Sequence, residues 1–120
     1  PGNVMLHNYS AKIGDFGFSK VIDENCQLLV SSVGTPQYMS PQILAGEKYT
    51  MKTDIWSLGI VMYQMLYGRT PWSSSNNLKI QTKLFELRNT ISHEPLKFPE
   101  YPKVTDETKQ LVRRMLKISE

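Results

Sequence analysis

The chain has 120 residues, 40% hydrophobic and 21% charged, with a formal net charge of +3. These values fit one globular domain and exclude collagen-like, disordered and coiled-coil classes. The positive surplus is too small to argue for nucleic acid. The single cysteine, Cys26, excludes an intrachain disulfide framework and a cysteine-rich zinc site.

The charge is unevenly placed. Residues 1–51 carry 3 lysines against 4 acids, and residues 52–120 carry 11 basic against 7 acidic residues. The longest apolar run, Leu58–Met62, is far shorter than the ~20 residues of a membrane-spanning helix. No membrane contact is expected, and one cysteine fits a reducing, cytoplasmic or nuclear setting. The chain starts at Pro1-Gly2-Asn3, with no basic-then-apolar leader, and stops after Ile118-Ser119-Glu120. Both ends read as cuts through a longer protein.

In chain order, Val4-Met5-Leu6 and Ala11-Lys12-Ile13 flank His7-Asn8-Tyr9-Ser10 and predict a small β-hairpin. Residues 14–36 show no lasting period and read as a long loop, a feature that in a compact domain is often functional. Ser40 is placed to cap a short helix with Pro41 in its first turn, and Gly46 to end it. Thr53 is expected to cap a second helix with Asp54 in its first turn.

In that second helix Ile55, Leu58, Val61, Met62, Met65 and Leu66 recur at spacings of three and four. Trp56, Ile60 and Tyr63 fill the gaps, so the helix is expected to be buried on most sides and stopped by Gly68. A third helix is expected over Leu78–Ile91. A proline-rich loop follows, and Thr105 then caps a last helix. Asp106 and Glu107 stand in its first turn, Arg113, Arg114 and Lys117 near its end. The predicted architecture is mainly α with a short β-hairpin.

Gly14-Asp15-Phe16-Gly17 follows the second strand. A carboxylate there, beside a flexible glycine, can reach into a cleft and hold a hard cation. Alone, Asp-Phe-Gly is a weak string that also describes a plain turn. Its partner strengthens it. A hairpin between Asn3 and Asp15 brings both side chains to one end, where an amide oxygen and a carboxylate can share Mg²⁺. Gly34-Thr35-Pro36, Ser40-Pro41-Gln42 and Asp54-Ile55-Trp56-Ser57-Leu58-Gly59 follow in order.

Together these strings resemble the C-terminal lobe of a eukaryotic protein kinase of the serine/threonine branch, incomplete at both ends, over nearly the whole chain. Pro1-Gly2-Asn3 resembles the end of the catalytic loop, Asp15-Phe16-Gly17 matches D-F-G, and Ser40-Pro41-Gln42 stands where A-P-E usually stands. The resemblance implies ATP and Mg²⁺ as cofactors, with Asn3 and Asp15 as metal ligands and Met5 as the floor of the adenine pocket. It implies structural roles for Phe16 and Gly17. Asp54 would be a buried carboxylate that accepts backbone N–H bonds from the catalytic loop; the plainer alternative is a helix N-terminal acid.

Thr35 would help hold the phosphoacceptor. Ser31 would be a site for an upstream activating kinase, or else an ordinary polar loop residue. The substrate implied is a protein Ser or Thr hydroxyl. Neighbouring strings resemble the unc-51-like, NIMA-like and calmodulin-kinase-like branches without separating them.

Three departures stand out. The residues His-Arg-Asp, with the catalytic aspartate, would lie just before Pro1. The N-terminal lobe, with its glycine-rich loop and strand lysine, is absent from these 120 residues. The chain alone is therefore expected to be inactive and only marginally stable. Third, Gln42 replaces a glutamate that pairs with a later arginine, so either a local hydrogen bond replaces that pair or the partner differs as well. The competing reading is a pseudokinase, a scaffold or allosteric binding module. The mixed charge of Lys79, Lys83, Glu86 and Arg88 reads as a solvated helix face. His7 and His93 have no metal-ligand spacing.

Overall fold

A computed structural model describes residues 1–19, 34–47, 50–74 and 79–118. Strands β1 (Val4–His7) and β2 (Ser10–Ile13) form an antiparallel hairpin with Val4 opposite Ile13 and His7 opposite Ser10. Its two-residue turn, Asn8-Tyr9, has φ of 47° and 60°. Positive φ at both positions gives the local twist that suits a tight hairpin, and asparagine accepts it well. Every residue of both strands is exposed. The hairpin thus rests on its own ladder, not on a buried face.

After the hairpin come a 3₁₀ turn (Pro36–Tyr38) and helices α1 (Pro41–Leu44), α2 (Lys52–Tyr67), α3 (Ile80–His93) and α4 (Asp106–Met115). The expected caps of α1 and α4 are present. The Ser40 and Thr105 hydroxyls accept from the backbone N–H of Ile43 and Thr108, at 3.4 Å and 3.3 Å. Gly68 ends α2 at φ 72°, a left-handed conformation open to glycine without steric penalty.

Three expectations are corrected. Thr53 does not cap α2: the helix begins at Lys52, and the Thr50 hydroxyl accepts from the Lys52 N–H at 3.3 Å. Thr53 is instead buried inside the first turn, where its branched side chain packs. The burial of α2 on most sides is also not what the structure shows. Trp56, Ile60 and Tyr63 form the buried face, while Ile55, Leu58 and Met65 are exposed. The large aromatic groups decide the face because they remove the most apolar area from water. Helix α3 starts at Ile80, two residues later than expected, and runs on to His93, whose ring Nδ1 lies 2.8 Å from the Asn89 carbonyl.

The core joins Trp56, Ile60 and Tyr63 of α2 to Trp72, to Leu87 and Ile91 of α3, and to Val112 and Leu116 in and just after α4. Trp56 and Trp72 stack with ring centroids 5.8 Å apart and planes 7° from parallel. Helices α2 and α4 meet at Gly59. A Cβ there would lie 2.9 Å from both Met115 Cβ and Leu116 Cδ2. Among the described residues, no helix is long and apolar enough to cross a membrane.

Tyr63 shows how this core handles a polar group. Its hydroxyl donates to the Lys97 carbonyl at 2.9 Å, fixing the loop before α4. Burial pushes its phenol pKa above the usual 10.0, with Arg69 opposing and Tyr67 adding to the rise. The neutral phenol is thus favoured in the folded state. Its contribution is fully present below the unfolded pKa and is lost as pH rises through the higher folded value. Urea midpoints measured from about pH 8 to 11 should fall steeply at the alkaline end. Tyr63→Phe should lose about 1 kcal/mol at neutral pH but flatten that fall.

Candidate functional site

The hairpin ladder sets the first part of the site. With Val4 opposite Ile13, the next pair outward is Asn3 and Gly14, and the Gly14 N–H donates to the Asn3 carbonyl at 2.8 Å. Asn3 and Asp15 are thereby held at the open end, where Asn3 Nδ2 lies 3.5 Å from Asp15 Oδ2. The other Asp15 oxygen, Oδ1, accepts the Gly17 N–H at 3.3 Å. Both side chains are exposed. Asp15 sits at φ 61°, a left-handed conformation rare for a residue with a Cβ and more tolerable for aspartate than for most.

As placed, the Asn3 amide nitrogen and not its oxygen faces the Asp15 carboxylate; with the amide turned to present Oδ1, the pair offers two oxygen donors that suit Mg²⁺, which takes few protein ligands because it keeps several waters. Among the described residues no group of three or more His, Cys, Asp and Glu side chains could form a denser metal site. Met5 lies on the same end of the hairpin. A Cβ added at Gly14 would fall 2.6 Å from Met5 Cε, so glycine leaves room for that thioether to lie over the backbone. Phe16 and Phe18 are 68% and 72% exposed, leaving two large apolar rings uncovered beside the carboxylate. A short turn follows, in which Ser19 N–H and Oγ both donate to the Phe16 carbonyl, at 3.0 Å and 2.6 Å.

The second part of the site is the segment from Gly34 to Gln42. Gly34 has φ 131°, outside the range of most residues with a side chain. Thr35 is exposed and precedes the 3₁₀ turn without using its hydroxyl as a cap. The turn itself is fixed to α2 by two bonds. Tyr38 Oη donates to Gln64 Oε1 at 2.7 Å, and Ser57 Oγ donates to the Tyr38 carbonyl at 2.8 Å. Thr35 thus precedes a turn held to α2 by two hydrogen bonds, and its hydroxyl has no partner among the described residues.

Gln42 Nε2 donates to the Ile118 carbonyl at 3.1 Å, an uncharged bond that ties α1 to the segment after α4. Asp54 is exposed in the first turn of α2, and its carboxylate makes no hydrogen bond among the described residues. Here it stands as a helix N-terminal acid, not as a buried acceptor. Ser31 and Cys26 lie outside the described residues. Sequence reasoning missed the anchoring roles of Tyr38, Ser57 and Gln64. Tyr38 and Ser57 lay inside motifs that were read as strings, while Gln64 carried no local signal.

A model of the protein kinase domain matches residues 1–120. The chain belongs to the protein kinase family. A protein named serine/threonine-protein kinase ATG1, from Beauveria bassiana, is 38% identical over 108 residues, 90% of this chain and 11% of that protein. In Neurospora crassa, serine/threonine-protein kinase apg-1 is 39% identical over 106 residues, 88% of this chain and 10% of that protein. The Neosartorya fischeri serine/threonine-protein kinase atg1 is 38% identical over a similar span. The chain therefore spans about a tenth of the length of the curated kinases it matches.

Proposed function

We propose that the protein carrying this kinase chain transfers the γ-phosphoryl group of MgATP to serine or threonine hydroxyls of protein substrates. The chain would form part of its C-terminal lobe. The observation that carries this reading is the convergence of Asn3 and Asp15, 3.5 Å apart at the mouth of the hairpin. Four motifs in family order and the names of the relatives support it. Those relatives favour the unc-51-like branch among the three the sequence left open.

Mg²⁺, when bound, neutralises charge on the phosphates and orients them. Asn3 would present its amide oxygen and Asp15 its carboxylate to the metal, so the protein's part is positioning and charge. Met5 would supply an apolar contact for the adenine ring. Gly17 N–H would hold the Asp15 carboxylate in orientation through its existing bond. Thr35, on its anchored turn, would hold the acceptor hydroxyl's surroundings in register. Asp54 would act as a tether once catalytic-loop N–H groups reach it. Phe16 would be covered by a neighbouring helix of the complete kinase.

The catalytic aspartate and the ATP-binding lysine are absent from these 120 residues. Activity would then need a protein that supplies both groups, and this chain alone is expected to transfer no phosphate. Ser31 would be the acceptor for an upstream activating kinase.

Incubating the intact protein with γ-labelled MgATP and mixed Ser, Thr and Tyr peptides tests the reading. Label on serine or threonine and none on tyrosine is expected. Nucleotide binding without transfer would move the protein to the pseudokinase reading, a scaffold or allosteric module. Label on tyrosine would overturn the substrate class.

A further inference from the structure

Helix α2 holds one residue of the turn after Thr35 at both of its ends. Ser57 Oγ donates to the Tyr38 carbonyl at 2.8 Å, and Tyr38 Oη donates to Gln64 Oε1 at 2.7 Å. Ser57 and Gln64 stand seven residues apart on α2. That spacing is close to two helical turns, so both project from one side of the helix. Between the two bonds the Tyr38 ring packs against the core. Its backbone and its side-chain tip are thus fixed separately, and it cannot pivot about either bond alone.

The hold reaches Thr35 through the backbone. Tyr38 N–H donates to the Thr35 carbonyl at 3.1 Å, and Met39 N–H donates to the Pro36 carbonyl at 3.0 Å. The Pro36 ring locks its own φ, which removes one torsion that would loosen the turn. Thr35 makes no side-chain cap bond, and Gly34 before it has no side chain to anchor it. Among the described residues the restraint on Thr35 therefore comes from Tyr38. The buried face of α2 is that of Trp56, Ile60 and Tyr63, and Ser57 and Gln64 lie half-buried beside it. Two side-chain bonds to one residue at that edge serve placement of the turn more than packing of the core.

We propose that Ser57 and Gln64 are positioning residues for phosphoryl transfer. Through Tyr38 they set the place of Thr35, and so of the acceptor hydroxyl beside it. This rests on the reading of the chain as part of a serine/threonine kinase, and adds to it the two α2 residues that hold the acceptor side of the site. Gln64 takes part through a side-chain oxygen, so a carboxylate can stand in for it and a hydrocarbon cannot.

The test measures steady-state transfer by the intact kinase to a serine/threonine peptide, with KM determined separately for peptide and for MgATP. Gln64→Leu and Tyr38→Phe each remove one partner of the same bond. Each should lower kcat/KM for the peptide about five- to tenfold and leave KM for MgATP unchanged. The Tyr38→Phe/Gln64→Leu double variant should lose no more than either single one. Gln64→Glu should keep most of the wild-type value. Ser57→Ala added to Gln64→Leu should lower kcat/KM further, because it frees the other end of Tyr38. Tyr38→Phe keeps the ring against the core, so the comparison stands even where Gln64→Leu fails to fold.

A peptide kcat/KM within about twofold of wild type in both Gln64→Leu and Tyr38→Phe overturns the proposal and leaves the kinase reading standing. So does an equal rise in both KM values, the mark of a general loss of structure. A Gln64→Glu variant no better than Gln64→Leu overturns it as well. Wild-type protein that transfers no phosphate to serine or threonine overturns the kinase reading itself, and the proposal with it.

Discussion

Replacing Gly59 with valine should lower the stability of the domain by about 3 kcal/mol or more, the upper end of what overpacking costs. Glycine in mid-helix is a weak choice by propensity, since alanine is favoured by about 1 kcal/mol. The structure supplies the reason for it. A Cβ at Gly59 would stand 2.9 Å from Met115 Cβ and from Leu116 Cδ2, and 3.1 Å from Leu116 Cγ. Leu116 can rotate, but Met115 Cβ is fixed to the α4 backbone, so α4 itself must retreat. Its buried residues, Val112 and Leu116, would then lose contact with Ile60 and its neighbours.

For a chain of this size the thermal midpoint should drop by roughly 10 °C or more. Gly59→Ala should fall between wild type and Gly59→Val, with propensity offsetting part of the clash. A valine variant melting within about 2 °C of wild type would show that α4 yields freely and that the close approach is unimportant.

Asp15→Asn should reduce phosphoryl transfer by the intact kinase by about 10²–10³-fold, the range seen when one preorganised electrostatic group is removed. The substitution is chosen for what it preserves. Asparagine tolerates the positive φ that Asp15 adopts, and its Oδ1 can still accept the Gly17 N–H. Asp15→Ala would add backbone strain to the loss of charge, mixing two effects. With asparagine the thermal midpoint should be unchanged while the rate collapses. Raising Mg²⁺ should recover part of the rate, because a neutral ligand binds the ion more weakly but in the same place. Activity close to wild type would remove Asp15 from the metal site and with it the central support for the proposed chemistry.

The parts of this molecule that were legible in the sequence are those set by local rules. Asn8 in a two-residue turn, Ser40 before Pro41, Thr105 before Asp106 and Gly68 after Tyr67 each act on backbone within four residues. The convergence of Asn3 and Asp15 was legible for the same reason, since a hairpin register fixes which residues meet at its open end.

What was not legible depends on distance along the chain or on competition between similar signals. Gln42 and Ile118 are 76 residues apart, and nothing in either neighbourhood announces their bond. Helix α2 is apolar on nearly every side, so periodicity could not choose between the face of Trp56, Ile60 and Tyr63 and the face of Ile55, Leu58 and Met65. Only the positions of α3 and α4 decide that. Thr53 has the residue type of a cap, but the helix starts one residue before it, with Met51 at the cap position, and Thr53 is buried inside the first turn.

The stacked tryptophans also determine what light can report about this protein. Trp56 and Trp72 are the chain's two tryptophans, and both are buried against one another in the core. Indole emission therefore comes from one spot, where α2 meets the loop after it. It will register separation of the helices and remain dark to the hairpin, whose aromatic neighbours are Tyr9, Phe16 and Phe18. Fluorescence melting curves should be taken as the history of the helical body alone, and opening of the Asn3–Asp15 mouth must be followed by a label placed on the hairpin itself.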